Sequence, residues 1–147
     1  MNNITKKIVV DSSVFLKTLF DEQDSQQAID FFTQIAEKNF TILVPDLFVH
    51  EVYANCATKK LEYQKAHLAL EKSKKSFFKI INLTDIITCD AFEMTKHGNI
   101  KSGFPSFYDC IYHSLAIQEK CTFITADEKH FAKTHKKFGH IKLLKNT

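Results

Sequence analysis

Two rhythms of apolar positions alternate along the chain. Short runs rich in β-branched and aromatic residues at positions 7–10, 40–44, 77–82, 122–125 and 141–144 have the length and composition of buried strands. Between them, apolar residues recur every three or four positions, which is the spacing of a helix with one face inward. The spacing predicts a helix after Ser12-Ser13 with Val14, Phe15, Thr18 and Leu19 on its inner face. A second runs from Ser25 to near Asn39 and carries Ala28, Ile29, Phe32, Ile35 and Ala36 as a stripe. Pro45 stops the second strand, and Asp46 is placed to cap a helix over residues 47–59 with Leu47, Phe48, Val52, Tyr53 and Ala54 inward. Residues 61–76 form a lysine-rich helix with a diffuse apolar pattern. Thr84-Asp85 starts a helix that passes Met94 and stops at His97-Gly98-Asn99. Pro105-Ser106 opens one with Cys110, Ile111, Ser114, Leu115 and Ile117 inward, and Asp127 precedes a last short one. Strands alternating with helices predict an α/β fold, an open and mostly parallel sheet with helices on both faces, as one domain over residues 1–147.

Composition changes this picture little. A chain of 147 residues, 44% hydrophobic and 25% charged with three Gly and two Pro, supports one core and leaves little material for linkers. No apolar run is long enough to span a membrane, and the apolar run after Lys6-Lys7 is cut at Asp11, so no signal peptide is expected. Cys56, Cys89, Cys110 and Cys121 lack the spacing of a zinc or redox motif and read as reduced core residues of a cytoplasmic protein. Net charge is +3, and every basic residue is Lys. Lysine meets phosphate as a point charge and lacks the planar fork that reads a base edge, so a nucleic-acid partner would be held by its backbone.

The candidate chemistry is acidic. Asp11 leaves the carboxyl end of the first strand and Asp127 that of the fourth, while Asp109 lies in the first turn of a helix and Glu51 little more than one turn into another. Taken singly, each Asp reads as a helix cap, and Ser106 three residues before Asp109 resembles a capping box. Taken together, all four fall at the edge of a parallel sheet where ligands bind, and four converging acids are not a capping pattern. Carboxylates without thiols form a hard-oxygen site suited to Mg²⁺ or Mn²⁺, whose chemistry on phosphates is phosphodiester hydrolysis. No glycine-rich phosphate loop is present, and Ser13 stands where a phosphatase of the haloacid-dehalogenase type would carry a second Asp.

The run Val9-Val10-Asp11-Ser12-Ser13, then Pro45-Asp46-Leu47 through Glu51, then Tyr108-Asp109-Cys110-Ile111-Tyr112, then Thr125-Ala126-Asp127, resembles a PIN domain, and within that family the VapC-type toxins of prokaryotic toxin–antitoxin pairs. The resemblance covers essentially the whole chain. It implies a metal-dependent endoribonuclease in which Asp11, Asp109 and Asp127 bind Mg²⁺ or Mn²⁺ and Glu51 binds directly or through water. It implies that Thr125 braces the site by hydrogen bonding, with Ser12 or Ser13 doing likewise. It also implies an RNA substrate, a small antitoxin and a homodimer. The absence of Arg departs from the family. Two other readings fit the residues: a PIN-fold nuclease of RNA maturation without an antitoxin, and a PIN-like binding module without catalysis. Lys72, Lys74 and Lys75, clustered at a helix end, are candidate phosphate contacts, although they also suit the helix dipole. His113, one turn after Asp109, reads as a hydrogen-bonded residue on the helix surface more than as a phosphate ligand.

Overall fold

A computed structural model describes residues 6–147. The chain runs β1 (Lys7–Val10), α1 (Ser12–Leu19), α2 (Ser25–Glu37), β2 (Thr41–Pro45), α3 (Leu47–Thr58), α4 (Tyr63–Ser76) and β3 (Phe78–Ile81). It continues through α5 (Asp85–Met94), α6 (Phe107–Gln118), β4 (Thr122–Thr125), α7 (Glu128–Phe138) and β5 (Ile141–Leu143), and closes on a 3₁₀ turn, Leu144–Asn146. The five strands form one sheet in the order β3-β2-β1-β4-β5, and every pairing is parallel. Val9 and Val10 on the central strand are both 0% exposed. Successive strand residues point to opposite faces, so both faces of the sheet are covered, as the uninterrupted apolar runs required.

Strand order decides where ligands fit. From β1 the chain builds outward through β2 to β3, then crosses back to lay β4 on the other side of β1. The crevice between β1 and β4, at the carboxyl ends of the strands, is therefore the topological switch point. The crossing back is made by α6, whose residues 110–116 are all buried, as a helix apolar on every side must be. Three helices end in the same way: Asn39, Lys60 and Lys120 take positive φ, and the following amide donates back to Ile35, Cys56 and Ala116 respectively. This is the glycine-type stop made without glycine, in a chain that has only three.

Several expectations need correction. Asp46 precedes α3 but its own backbone is helical and its side chain makes no capping bond. Ala54 is exposed on α3, as is Cys89 on α5, because each points away from the core side of its helix. Cys56 and Cys110 are buried and reduced. Strand β3 is shorter than residues 77–82, and the last strand yields to the 3₁₀ turn at Leu144. No helix among the described residues is long and apolar enough to cross a membrane.

His113 is hydrogen-bonded, as expected, but it is 0% exposed and lies in the core rather than on the surface. Its Nε2 donates to the Gly139 carbonyl at 2.7 Å, where α7 ends, which leaves Nδ1 as the acceptor for His130 Nε2 at 3.1 Å. His130 Nδ1 is buried without a partner. Both rings are thereby held neutral. Burial pushes His113 down, and burial with the neighbouring His113 pushes His130 down to about 4. The unfolded chain takes up protons first, so the pair's contribution to stability is complete above about 6.5 and is lost as pH falls toward 4. For His130 that is on the order of 3 kcal/mol. Comparing the unfolding free energies of wild type and His130→Gln, we expect the wild type to lose ground steadily between pH 7 and pH 4. A difference that stays constant across that range contradicts the pair.

Candidate active site

Asp11 is the deepest of the four acids. Its amide extends the β1 ladder by donating to Ile124 at 3.1 Å, and its carboxylate then turns back as the N-cap of α1, accepting from the Ser13 amide at 3.2 Å. Thr125, the last residue of β4, donates its hydroxyl to the other carboxylate oxygen at 2.9 Å and accepts from the Asp127 amide at 3.0 Å. One threonine thus ties the acid leaving β1 to the acid leaving β4, because Val10 and Ile124 are partners in the register and the next residues on each strand face each other. Asp127 caps α7 through the His130 amide at 3.0 Å. Ser106 caps α6 by accepting from the Asp109 amide at 3.2 Å, and its hydroxyl donates to the Asp109 carboxylate at 3.0 Å where a capping box would have the carboxylate reach the Ser106 amide.

Glu51 is reached from two sides. Tyr112, fully buried on α6, donates its hydroxyl to Glu51 Oε1 at 2.5 Å, and Ser12 Oγ lies 3.4 Å from both that oxygen and Asp11 Oδ1. Sequence reasoning missed Tyr112, since its partner is 61 positions away. The signal available was a tyrosine one turn after the helix N-terminus, on a helix too apolar to leave a hydroxyl unpaired. Ser12 sits between two acids, whereas Ser13 contributes its backbone amide while its own hydroxyl is buried without a partner.

Electrostatics bind the four together. Burial, then the neighbouring Asp109 carboxylate, push Asp11 up to about 6. Burial also raises Glu51, helped by Asp11 and opposed by the Tyr112 bond. Asp109 is raised by burial and by Asp127 and Glu51, against the pull of Ser106 and Lys133. The acids meet in pairs: among the described residues no three His, Cys, Asp or Glu side chains close around a metal position. The expected four-way convergence is thus a chain of neighbours rather than a finished cage. This donor set suits a hard cation. Mg²⁺ needs only one or two carboxylates beside water and substrate phosphate, and an acid raised toward neutrality is one that a cation would discharge. The candidate phosphate contacts do not share this edge. Lys72, Lys74 and Lys75 end α4 just before β3 begins, at the amino edge of the parallel sheet, and Lys74 is paired with Glu71 at 3.2 Å.

A model of the PIN domain matches residues 8–137, and the chain belongs to that family. Its structural neighbours are toxins of toxin–antitoxin complexes, at low identity. The DNA-bound VapBC2 complex of Rickettsia felis aligns with a TM-score of 0.69 at 19% identity, over 93% of this chain and 96% of that one. The DNA-bound VapBC of Salmonella typhimurium gives 0.71 at 12% identity, over 95% and 99%. VapC20 of Mycobacterium tuberculosis, a toxin that cleaves the sarcin-ricin loop, gives 0.61 at 14% identity, over 77% and 83%. Among curated proteins nothing matches.

Two outcomes follow from the site. Asp11→Asn should raise stability at pH 7 without divalent ions, by removing a buried charge, and the advantage should fade by pH 4. A raised pKa stabilises below the unfolded value of 3.8, and that contribution is lost as pH rises through about 6. Chemical denaturation of both proteins at the two pH values, in EDTA, reads this directly. Tyr112→Phe should cost about 2 kcal/mol, the worth of a hydrogen bond to a carboxylate. Combining it with Glu51→Ala in a double-mutant cycle should return a coupling of that order, whereas additive effects would show that the bond contributes nothing.

Proposed function

We propose that the chain is a divalent-cation-dependent endoribonuclease that hydrolyses RNA phosphodiester bonds and acts as the toxin of a toxin–antitoxin pair. The observation that carries this reading is the buried Asp11 carboxylate at the β1–β4 switch point, held near Asp109 and raised to about 6. Such a group is destabilising until something positive discharges it. Asp11, Asp109 and Asp127 would hold the ion, with Glu51 beside them. A bound Mg²⁺ or Mn²⁺ supplies a water of lowered pKa and neutralises charge developing on the phosphate. The chain's own part is placement. Thr125 and the Ser13 amide fix both oxygens of Asp11, Ser106 fixes Asp109, and Tyr112 fixes Glu51. The RNA target supports this by analogy with VapC20, a sarcin-ricin loop cleaving toxin. The antitoxin is supported by neighbours crystallised as complexes with antitoxin. Exposed Ile86, Phe92, Ile100, Phe104 and Tyr108 also leave apolar surface for partners to cover.

The reading is tested on purified protein with RNA in Mg²⁺, Mn²⁺ or EDTA. Wild type should cleave with either ion and stop in EDTA, and Asp11→Asn or Asp109→Asn should abolish cleavage, since an amide is a poor ligand for a hard cation. Mn²⁺ at a hundred times its dissociation constant should stabilise the wild type by about 2.7 kcal/mol and the variants much less. Full cleavage in chelator would overturn the reading.

A further inference from the structure

A cavity of about 530 Å³ lies beside α7, with Lys129, Lys133 and Lys137 on one wall and Lys96, Gly98 and Asn99 on the other. The three α7 lysines fall at every fourth position, so they share one helix face with a rise of about 6 Å between neighbours. Like charges so placed repel, which weakens the helix by a few tenths of a kcal/mol per pair unless an anion lies over them. No acid of this chain does: none of the three forms an ion pair among the described residues. Lys96, by contrast, is held by both oxygens of Glu93 at 2.9 Å.

The facing wall is a tight turn. Asn99 and Gly103 exchange backbone hydrogen bonds of 3.1 and 2.7 Å, and a Cβ on Gly98 would stand 2.3 Å from the Gly103 oxygen. Gly103 has φ +88°, and a Cβ there would come within 3.4 Å of the Lys133 ammonium, so the lysine lies against bare backbone. The row also begins at the acids. Lys129 follows Asp127 by two residues, and the Lys133 charge is felt at Asp109.

We propose that Lys129, Lys133 and Lys137, facing the 98–103 turn across this cavity, form the track that binds the sugar-phosphate backbone of the RNA strand leading into the acidic site. The inference rests on the nuclease reading and adds to it the surface that delivers the substrate. A step of about 6 Å along the helix is comparable to the separation of successive phosphates on one strand. Ammonium groups grip phosphate as point charges and lack the planar fork of a guanidinium, so the track binds the backbone with little regard to sequence. Discrimination among RNA targets then arises elsewhere, at the acids or through the shape of the RNA.

The test measures binding of a short single-stranded RNA to the full chain in EDTA, where it is not cut, over a range of NaCl concentrations. Replacing all three α7 lysines by Ala should weaken binding and flatten the plot of log affinity against log salt by about 2, at about 0.7 per lost contact on a single strand, and Lys133→Gln alone by about 0.7. Alanine favours helix and relieves the repulsion, so a melting temperature at or above that of wild type confirms the fold. The triple Lys72→Ala, Lys74→Ala, Lys75→Ala removes the same net charge and should leave the slope as it is. An unchanged slope in the α7 variants, or an equal loss in both triples, overturns the track while cleavage by wild type leaves the nuclease reading standing. Polyglutamate binding that depends on the α7 row, with the RNA slope unchanged, assigns the row to an acidic protein and overturns the proposal. A wild type that neither binds nor cuts RNA overturns both readings together.

Discussion

A single buried carboxylate sets the terms for this end of the molecule. Asp11 is 6% exposed, and a charge so far from water is costly unless it is paired, solvated by the protein or neutralised. The fold supplies two hydrogen bonds, from the Ser13 amide and the Thr125 hydroxyl, and then works against itself by bringing Asp109 close. Each of these neighbours comes from a different element, and only the parallel order β2-β1-β4 brings the starts of α1 and α6 and the end of β4 to one crevice. The residue and the topology therefore explain one another. An antiparallel neighbour for β1 would turn the carboxyl end of β4, and Thr125 with it, away from Asp11.

The capping and site readings of the acids prove compatible. Asp11, Asp127 and Ser106 all make the capping bonds that local sequence predicts. A helix N-terminus offers amides to a carboxylate whether or not a cation also binds it, so a cap is a convenient way to hold an acid still. A helix cap and a cation ligand are therefore not alternatives for one carboxylate. What separates Asp11 and Asp127 from an ordinary cap is their shared location, and location is set by strand order.

Legibility in the sequence followed the range of the interaction. Strands and helices were legible because parallel strands are apolar throughout and helices carry a stripe, both local patterns. Residues at strand ends, Asp11 and Asp127, were legible for the same reason. Partnerships across the chain were not: Tyr112 with Glu51, the direct bond of Thr125 to Asp11, and His113 with His130 and Gly139 depend on packing that no spacing encodes. Lysines illustrate the difference. Lys72, Lys74 and Lys75 stand out as a cluster in the text, yet α4 carries them to the amino edge, whereas Lys129, Lys133 and Lys137 are spread over nine positions and line one cavity beside the acids.

Two buried proton sites of opposite sense now face each other across α7. At its start stand the acids, where Asp11 gains a proton as pH falls through about 6 and the native state is strengthened. One turn on, His130 resists protonation down to about 4, and acid weakens the native state. Each effect is on the order of 3 kcal/mol over nearly the same range, so in the metal-free chain these two contributions oppose one another, with the raised Asp109 and Glu51 adding to the first and the lowered His113 to the second. A cation bound at the acids, as the proposed activity requires, would break the balance. It would take the place of the proton at Asp11, remove the stabilising arm of the titration and leave the histidine arm unopposed. Loaded, the fold would be more sensitive to mild acid than when empty, and the reason lies in the opposite charges that the two buried sites carry when each is ionised.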